Sequence, residues 1–454
     1  MQCIDTRLIQ EAVYKLCLDA NVIYSSDLYN KLLHSFESSE LESEKIKLAN
    51  IVNNIKLAYD TKRPLCQDTG QVIVFLEIGQ NLNLTGKSIS EAVNSGIAAS
   101  YKDNYFRKSV VNNSLFDRSN TGENTPGVIY TDIVPGDEIN IKVLIKGAGS
   151  ENYSTVRMMN PAASEQDIFE FIKNTVLTAG EKSCPPVVIG IGIGGTMDSA
   201  ALMSKKAFFK NVYNNEEIAF IKALADYLGD IKNNVLDIKL MTSSTHIACM
   251  PVAITINCHC TRHAECKIVN SEIIYKNEIP AYKAIPVVAQ SLIRINADDI
   301  NSVKYLQRGD RILLSGEIYT ARDAAHKLMF EYYNKYGEFP FDINNKIIFY
   351  AGPCPAKPGE IIGPVGPTTS ARMDKYCDLL YKQGLIATIG KGERSPETVD
   401  SILKYNGRYF VAQGGISCII AKCVKKSEVI AFDELGTEAV RKLYVEDLPL
   451  TVEL

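Results

Sequence analysis

The segment NCHCTRHAEC at residues 257–266 concentrates side chains that bind metals, with three cysteines and two histidines and a further cysteine at Cys249. Zinc ribbons use paired cysteines with about two to four residues between them, whereas only one residue separates Cys258 from Cys260. The preceding VAITIN also has the pattern of a strand. A four-ligand zinc site is therefore strained here, and the alternative is that most of these cysteines are small buried apolar residues.

A second candidate is the segment RPLCQDTGQ at residues 63–71, which precedes a predicted buried strand. It places a thiol, an amide and a carboxylate side by side at Cys66, Gln67 and Asp68. The alternative is a plain turn, because Asp, Thr and Gly are the residues that turns favour. The segment by itself supports both interpretations equally.

Glycines at 190, 192 and 195 fit the pattern G-x-G-x-x-G between a predicted strand and a predicted helix. This pattern can mark a dinucleotide-binding turn. An acidic residue follows about twenty positions later at Glu216 or Glu217, but in a polar turn and not at the end of a second strand. A nicotinamide-dependent oxidoreductase would rest on this pattern alone.

The C-terminal part places basic residues where predicted elements begin or end. Arg322 follows Thr320 at a helix predicted to start near Ala321, and Arg372 lies in the first turn of another predicted helix. Lys391 stands between two glycines at a predicted strand end. Because unpaired N–H groups at helix N-termini attract anions, this repetition predicts a site for a multiply charged anion.

The elements that must position these residues follow from hydrophobic periodicity. Residues 1–60 have a helical pattern, 71–79 a buried strand, and 127–152 two strands joined by a Pro-Gly turn. After about residue 268, apolar and polar residues alternate more often with the two-residue period of strands. This change predicts a domain boundary near 275–290. The Gly/Pro-rich segment 350–374 is loop-dense, and its polar residues favour an active-site loop over a linker.

Composition restricts the class of protein. The chain has 454 residues, a net charge of −4 and 46% hydrophobic residues, which suits two or more globular domains. Charges are interspersed, so neither nucleic acid nor a membrane surface is expected as a partner. The N-terminus lacks a signal or transit pattern, and twelve scattered cysteines indicate a reducing compartment. We therefore expect a cytoplasmic protein.

Taken together, the segments resemble the class I, iron–sulfur-dependent fumarate hydratases and their relatives, the L-tartrate dehydratases. Eight motifs occur in the family's order along almost the whole chain: CQDTG, KGAGSEN, GIGIGGT, PVAITINC, SGEIYTARDAAHK, GPCPAKPG, GPTTSARMD and GKG. Eight ordered motifs are far more specific than any single one. The family exists as two subunits and as a fused chain, and this sequence resembles the fused form.

The resemblance implies an α/β (α+β) fold in two parts. An N-terminal α/β iron–sulfur domain is expected at residues 1–280. A smaller, swivelling C-terminal domain of the β/β/α type is expected at residues 285–454. A homodimer acting in the tricarboxylic acid cycle is expected as well.

The resemblance further implies a [4Fe–4S] cluster held by Cys66, Cys184 and Cys258. One iron would have no protein ligand and could act as a Lewis acid on the hydroxyl group of the substrate. Such an open iron implies sensitivity to oxygen. Cys260 lies two residues from Cys258, so the alternative of Cys260 as the third ligand stays open.

The implied reaction is the reversible hydration of fumarate to (S)-malate, a carbon–oxygen hydro-lyase reaction on a small dicarboxylate. The matching positions divide into catalytic residues and substrate-binding residues. The catalytic residues are Thr368, Asp68 and His246. The substrate-binding residues are Gln67, Arg107, Gly149, Arg322, Arg372 and Lys391.

Four alternatives remain at this point. L-tartrate dehydratase and mesaconate hydratase share the dicarboxylate chemistry, and the fused layout together with GPCPAKPGEIIG favours fumarate hydratase. A nicotinamide oxidoreductase would depend on the glycine pattern. A zinc-binding module would depend on residues 249–266.

Overall fold

The computed structural model describes residues 2–276, 278–287 and 292–454. The chain forms two compact units, and each unit is built from two chain segments. The first unit contains residues 1–41 and 68–282, and the second contains residues 42–67 and 283–454. One division falls between residues 282 and 283, and residues 42–67, which the sequence-based expectation placed in the first domain, group with the second unit.

Helices and strands are interspersed along the described part of the chain. The α-helices are α1 (Arg7–Val22), α2 (Ser26–Ser38), α3 (Glu42–Asp60), α4 (Ile89–Asp103), α5 (Ala148–Glu151), α6 (Glu165–Ala179), α7 (Met197–Lys206), α8 (Asn215–Leu228), α9 (Ile300–Lys304), α10 (Asp323–Tyr336), α11 (Asp374–Lys382), α12 (Pro396–Lys404) and α13 (Ser417–Cys423). The strands are β1 (Gln2–Asp5), β2 (Gln71–Gly79), β3 (Leu82–Thr85), β4 (Val128–Val134), β5 (Ile139–Lys146), β6 (Thr155–Met159), β7 (Val187–Gly195), β8 (Val235–Thr245), β9 (Met250–Asn257), β10 (Arg262–Val269), β11 (Glu272–Tyr275), β12 (Ile293–Asn296), β13 (Arg311–Thr320), β14 (Ile347–Phe349), β15 (Ala387–Gly390), β16 (Arg408–Val411), β17 (Val424–Ala431) and β18 (Val440–Val452).

The first unit contains a five-stranded sheet in the order β11-β10-β5-β2-β4. Alternate residues of β2 and β5, such as Val72, Val74, Ile141 and Val143, pack with apolar residues of α1 and α4 in one core. This arrangement satisfies the period of two along a strand and the 3.6-residue period of the covering helices. Residues 2–5, which the sequence pattern included in a helical region, instead form β1, which pairs with β3.

A four-stranded sheet in the order β6-β9-β7-β8 forms the second layer of this unit, with a core shared by α6 and α8. Gly190 and Gly192 lie inside β7 and not in a turn. A Cβ on Gly190 would lie 2.1 Å from the Ser204 carbonyl oxygen, and one on Gly192 would lie 2.2 Å from that of Ala200. These glycines therefore let α7 pack directly on β7, which explains the pattern without a dinucleotide.

The second unit contains a seven-stranded sheet in the order β12-β13-β14-β15-β16-β18-β17. Strands β13 to β16 are parallel neighbours, and the long β18 runs antiparallel to β16, β17 and β13. Buried residues of α10, α11 and α12, including Met329, Leu380 and Ile402, form its core against the sheet. Loops at the carboxyl ends of parallel strands meet at one edge of a sheet, where ligand sites are common.

The mixed α/β fold in two parts that the sequence predicted is confirmed by these elements and their pairings. None of the helices in the described part of the chain combines the length and apolarity that a membrane span needs.

Candidate active site

In the first unit, Asp68 lies immediately before β2 and contacts two of the predicted substrate-binding regions. Its Oδ1 forms an ion pair with Nη2 of Arg107 at 2.8 Å, and Arg107 is only 7% exposed. Its Oδ2 accepts a hydrogen bond from the backbone N–H of Ala148 at 3.0 Å. Ala148 opens the short helix α5, which also contains Gly149. The structure thus brings Asp68, Arg107 and the KGAGSEN turn together.

Buried side chains hold the backbone of residues 68–70 in place. Arg262 donates a hydrogen bond to the carbonyl of Asp68, Tyr101 donates to that of Thr69, and Asn124 donates to that of Gly70 at 3.0 Å. Arg262, Tyr101 and Asn124 are each at most 1% exposed. Because these carbonyls are paired with side chains, the loop can leave the strand ladder without unpaired polar groups.

Cys184 and Cys258 come from loops that contact each other. The carbonyl of Cys184 accepts hydrogen bonds from the backbone N–H of His259 at 3.4 Å and from its Nδ1 at 2.9 Å. Both predicted ligand cysteines are partly exposed, whereas Cys260 is 2% exposed. Cys184 and Cys258 are thus more accessible as residues than Cys260.

The surroundings of Cys258 favour its thiolate form. A hydrogen bond from the Cys260 side chain holds the pKa of Cys258 well below its ordinary value, and the positive charges of Arg262 and Lys146 act in the same direction. Thiolates are the form that binds metal. Cys260 therefore acts as a neighbour that donates to Cys258 in this structure.

His246 lies on the exposed loop between β8 and β9, and its Nδ1 accepts a hydrogen bond from the N–H of Ala248 at 3.1 Å. The described contacts of its ring do not include another predicted site residue. Its assignment as a catalytic residue stays a prediction.

In the second unit, Cys66 lies in a bend between α3 and the division at residue 67. Three buried side chains contact the carbonyls around it. Cys418 Sγ donates to Pro64 at 3.4 Å, Asn54 Nδ2 donates to Leu65 at 3.0 Å, and Cys354 Sγ donates to Gln67 at 3.3 Å. Burial raises the pKa of Cys418 to about 12, so this thiol keeps its proton. We call this set of three donors the Cys66 clamp.

Gln67 packs against the loop that carries Thr368. A Cβ on Gly366 would lie 2.7 Å from Gln67 Oε1, so only glycine admits the amide at this distance. Gln67 Nε2 also lies 3.5 Å from the carbonyl oxygen of Pro367, and the side chain of Cys66 lies 3.5 Å from Gln67 Oε1. Two motifs that are three hundred residues apart in the sequence are therefore neighbours in this unit.

Thr368 is held at the carboxyl end of the parallel strands. Its N–H donates to the carbonyl of Tyr350 at 2.8 Å, and its own carbonyl accepts from the N–H of Lys391 at 3.2 Å. Arg372 Nη2 donates to Thr368 Oγ1. Lys391 follows β15 and is 9% exposed. The structure thus brings together Thr368, Arg372, Lys391 and Gln67.

Arg322 lies at the start of α10, which begins at Asp323 and not at Ala321 as the sequence suggested. Nε of Arg322 lies 3.5 Å from Asp323 Oδ2, and its Nη2 lies 3.2 Å from Glu438 Oε1. Asp323 Oδ2 also lies 3.3 Å from Nη2 of Arg372. The two predicted anion-binding arginines therefore share one carboxylate.

Two models of known protein families match consecutive parts of the chain. The model of the family "Fumarate hydratase (Fumerase)" matches residues 10–267, and the model "Fumarase C-terminus" matches residues 271–454. The chain belongs to the fumarate hydratase family. It is accordingly an enzyme of the carbon–oxygen hydro-lyase class, as the sequence predicted.

Individual relatives cover most of the chain. A class I, anaerobic fumarate hydratase of Escherichia coli is 29% identical over 92% of this chain and 82% of its own length. Fumarate hydratase 2 of Leishmania major is 28% identical over 90% of this chain and 78% of its own. A candidate L(+)-tartrate dehydratase subunit alpha of Methanocaldococcus jannaschii is 35% identical, but over 56% of this chain.

The sequence predicted metal-binding cysteines, and the structure shows how these cysteines are surrounded. Across residues 2–276, 278–287 and 292–454, no three His, Cys, Asp or Glu side chains converge as a site for one metal ion. Cys266 belongs to the apolar core that includes α1, where it is a small buried residue. Iron–sulfur clusters are held by cysteine thiolates, and Cys66, Cys184 and Cys258 are each partly exposed on a loop.

Sequence reasoning missed several residues that contact the candidate functional residues within each unit. Arg262, Asn54, Asp323 and Glu438 hold a backbone carbonyl or a predicted functional side chain. Asp323 stands beside Arg322 in the sequence, and this adjacency was the one available signal. Asn54 and Glu438 are distant in sequence from the groups that they contact, so no local pattern identifies them.

Proposed function

We propose that the protein hydrates fumarate reversibly to (S)-malate and that a [4Fe–4S] cluster takes part. Matches to both family models support the reaction class. The observation that carries the proposal is the set of basic side chains around Thr368, with the Arg372 guanidinium on its hydroxyl. A dicarboxylate substrate requires such fixed positive charge where negative charge develops.

We propose Cys66, Cys184 and Cys258 as the residues that would hold the cluster. All three residues are partly exposed, and the environment of Cys258 favours a thiolate. When bound, the cluster would supply an iron with an open position, which polarises the hydroxyl group of malate. The Cys66 clamp would orient the first of these thiols.

Substrate carboxylates would be bound by Arg107, Arg322, Arg372 and Lys391. Arginine suits this role because its planar guanidinium can make two parallel hydrogen bonds to a carboxylate. The amide of Gln67 and the backbone at Gly149 would complete the polar contacts. Gln67 is 8% exposed, and its position against Gly366 fixes the amide beside the Thr368 loop.

Thr368 and Asp68 are the proposed acid–base residues, with His246 as a further group in the site. A threonine hydroxyl is a poor base unless a neighbouring charge stabilises its anion. The Arg372 guanidinium supplies that charge, because it donates to Thr368 Oγ1. Asp68 accepts hydrogen bonds and is held by Arg107, which fixes where its carboxylate can take up or release a proton.

Two related reactions remain candidates. L-tartrate dehydration is favoured by the 35% identity to the archaeal alpha subunit, and mesaconate hydration would use the same groups.

We also propose a homodimer that is cytoplasmic, oxygen-sensitive and active in the tricarboxylic acid cycle. The interspersed charges and the reducing environment suggested by twelve thiols support the location.

The test is an anaerobic assay of protein reconstituted with iron and sulfide. Malate dehydration is followed by the ultraviolet absorbance of fumarate, with tartrate and citramalate as parallel substrates. We expect malate to be the best of the three. Faster turnover of tartrate would replace the proposal with tartrate dehydratase, and no turnover of any substrate would reject it.

The cluster assignment is tested by a matched pair of variants. Cys258→Ser should lose iron, the visible absorption of the cluster and activity, since serine is a poor ligand for iron–sulfur clusters. Cys260→Ser should keep most of all three, because Cys260 is a buried neighbour of the ligand. Equal loss in the two variants would contradict the choice of Cys258.

A further inference from the structure

Asp323 connects the two arginines that we propose as substrate-binding residues. One of its oxygens, Oδ2, lies 3.3 Å from Nη2 of Arg372 and 3.5 Å from Nε of Arg322. Two guanidinium groups that approach one oxygen would repel each other without the carboxylate between them. Asp323 is therefore the shared counter-charge of both guanidinium groups.

The two arginines differ in how firmly other groups hold them. The side chain of Arg322 is 14% exposed and also pairs with Glu438, whose Oε2 accepts a hydrogen bond from the N–H of Ala324 at 2.9 Å. The side chain of Arg372 is 41% exposed, and its guanidinium contacts Asp323 and Thr368. Arg372 thus depends more strongly on Asp323 for its direction.

The same nitrogen of Arg372 serves both contacts. Nη2 forms the ion pair with Asp323 and donates the hydrogen bond to Thr368 Oγ1. The backbone of Thr368 is fixed separately by Tyr350 and Lys391. With this backbone fixed, the ion pair with Asp323 is the contact that orients the guanidinium toward Thr368 Oγ1.

We propose that Asp323 is a positioning residue that aims Arg372 at the hydroxyl of Thr368 during dicarboxylate hydration. The inference rests on the proposed function, in which Thr368 transfers the proton. Asp323 is not one of the residues that we propose to bind substrate or cluster. Glu438 has the corresponding role only for Arg322, so the two carboxylates affect different steps.

The experiment compares Asp323→Asn with Glu438→Gln in the full-length, anaerobically reconstituted enzyme. Asp323→Asn should lower kcat by about 10-fold to 100-fold, the effect of losing one hydrogen bond to a charged group in the transition state. KM should change by less than about 3-fold, because the added net positive charge offsets poorer orientation. Glu438→Gln should mainly raise KM, since Arg322 is proposed to bind a carboxylate.

A double-variant cycle separates positioning from a general structural effect. In an Arg372→Lys background, Asp323→Asn should reduce kcat by less than about 3-fold further, because contacting residues are not additive. Asp323→Glu keeps the charge and should recover part of kcat, and iron content should match the wild type in all variants. Additive losses, or an Asp323→Asn enzyme with wild-type kcat, would overturn the inference.

These outcomes are distinct from a failure of the proposed function. A wild-type enzyme that turns over none of the dicarboxylates rejects the function and this inference together. An active wild type with an unaffected Asp323→Asn variant rejects only the role of Asp323.

Discussion

The imidazole of His326 is fully buried on α10, where its Nδ1 donates to the carbonyl of Arg322 at 3.0 Å and its ring stacks on Tyr376. Burial lowers the pKa of His326 to about 4. The unfolded histidine takes up a proton near pH 6.5, so the unfolded state binds more protons between these two values. Stability is therefore lost as the pH falls from about 6.5 to about 4.

We expect His326→Gln to remove most of this pH dependence. A shift of this size corresponds to about 3 kcal/mol of unfolding free energy between pH 7 and pH 4. The measurement is denaturant unfolding at several pH values. His34→Gln is the matched control, because His34 is exposed on α2. An unchanged pH profile in His326→Gln would contradict the assignment.

At this scale the sequence predicted candidate residues for the site but not how their side chains pair. Motifs identified Arg322, Arg372 and Thr368, yet the contact of Arg372 with both Asp323 and Thr368 depends on side-chain directions. Cys258 and Cys260 could be separated only by burial and by the hydrogen bond between them. Such facts arise from packing, which local sequence does not encode.

At the scale of single elements, helix α3 holds part of the Cys66 clamp in place. Helix α3 contributes Asn54, which is 1% exposed and uses both ends of its amide. Its Nδ2 donates to the carbonyl of Leu65 at 3.0 Å, and its Oδ1 accepts from the N–H of Cys418 at 2.9 Å. The helix that precedes Cys66 is thereby tied to the loop that contains it and to α13.

Asn54→Ala should destabilise the protein by about 2–4 kcal/mol, because a buried carbonyl and a buried N–H would each lose a partner. The measurement is chemical denaturation under reducing, anaerobic conditions. Asn50→Ala on the same helix is the control. Asn50 is half-buried and donates to the side chain of Gln413, so its loss should cost less than about 1 kcal/mol. Equal costs would show that the clamp does not stabilise the fold.

Elements were easier to predict than their partners. Strands β2, β5 and β7 appeared as apolar runs bounded by glycine, and the structure confirms them. The amphipathic pattern of α3 predicted a helix but did not reveal that it belongs to the second unit. The glycines of β7 matched a dinucleotide motif because close helix packing and phosphate binding require the same missing side chain.

At the scale of the whole molecule, the second unit is assembled from two distant chain segments. Asn53 exchanges two hydrogen bonds of 2.8 Å with the backbone of Ile285, and Asn54 binds α13. Buried apolar residues of α3 include Ile51, Val52 and Ile55. Without residues 42–67, the parts of residues 283–454 that α3 covers would be exposed to water.

We expect a fragment of residues 283–454 to be unstable alone and to be stabilised by a synthetic peptide of residues 42–67. At about one hundred times its dissociation constant, the peptide should raise Tm by about 5–10 °C. The measurement is thermal unfolding by circular dichroism. An Asn54→Ala peptide is the control and should be much less effective. No response to the wild-type peptide would contradict the division of units.

The interrupted order of the segments has a consequence for biosynthesis. A ribosome completes α3 long before it reaches residue 283, where the rest of the second unit begins. Translation proceeds at about 5–20 residues per second. The apolar face of α3 therefore stays without the rest of its unit for roughly tens of seconds. Nascent chains should therefore depend on a holding chaperone during that interval.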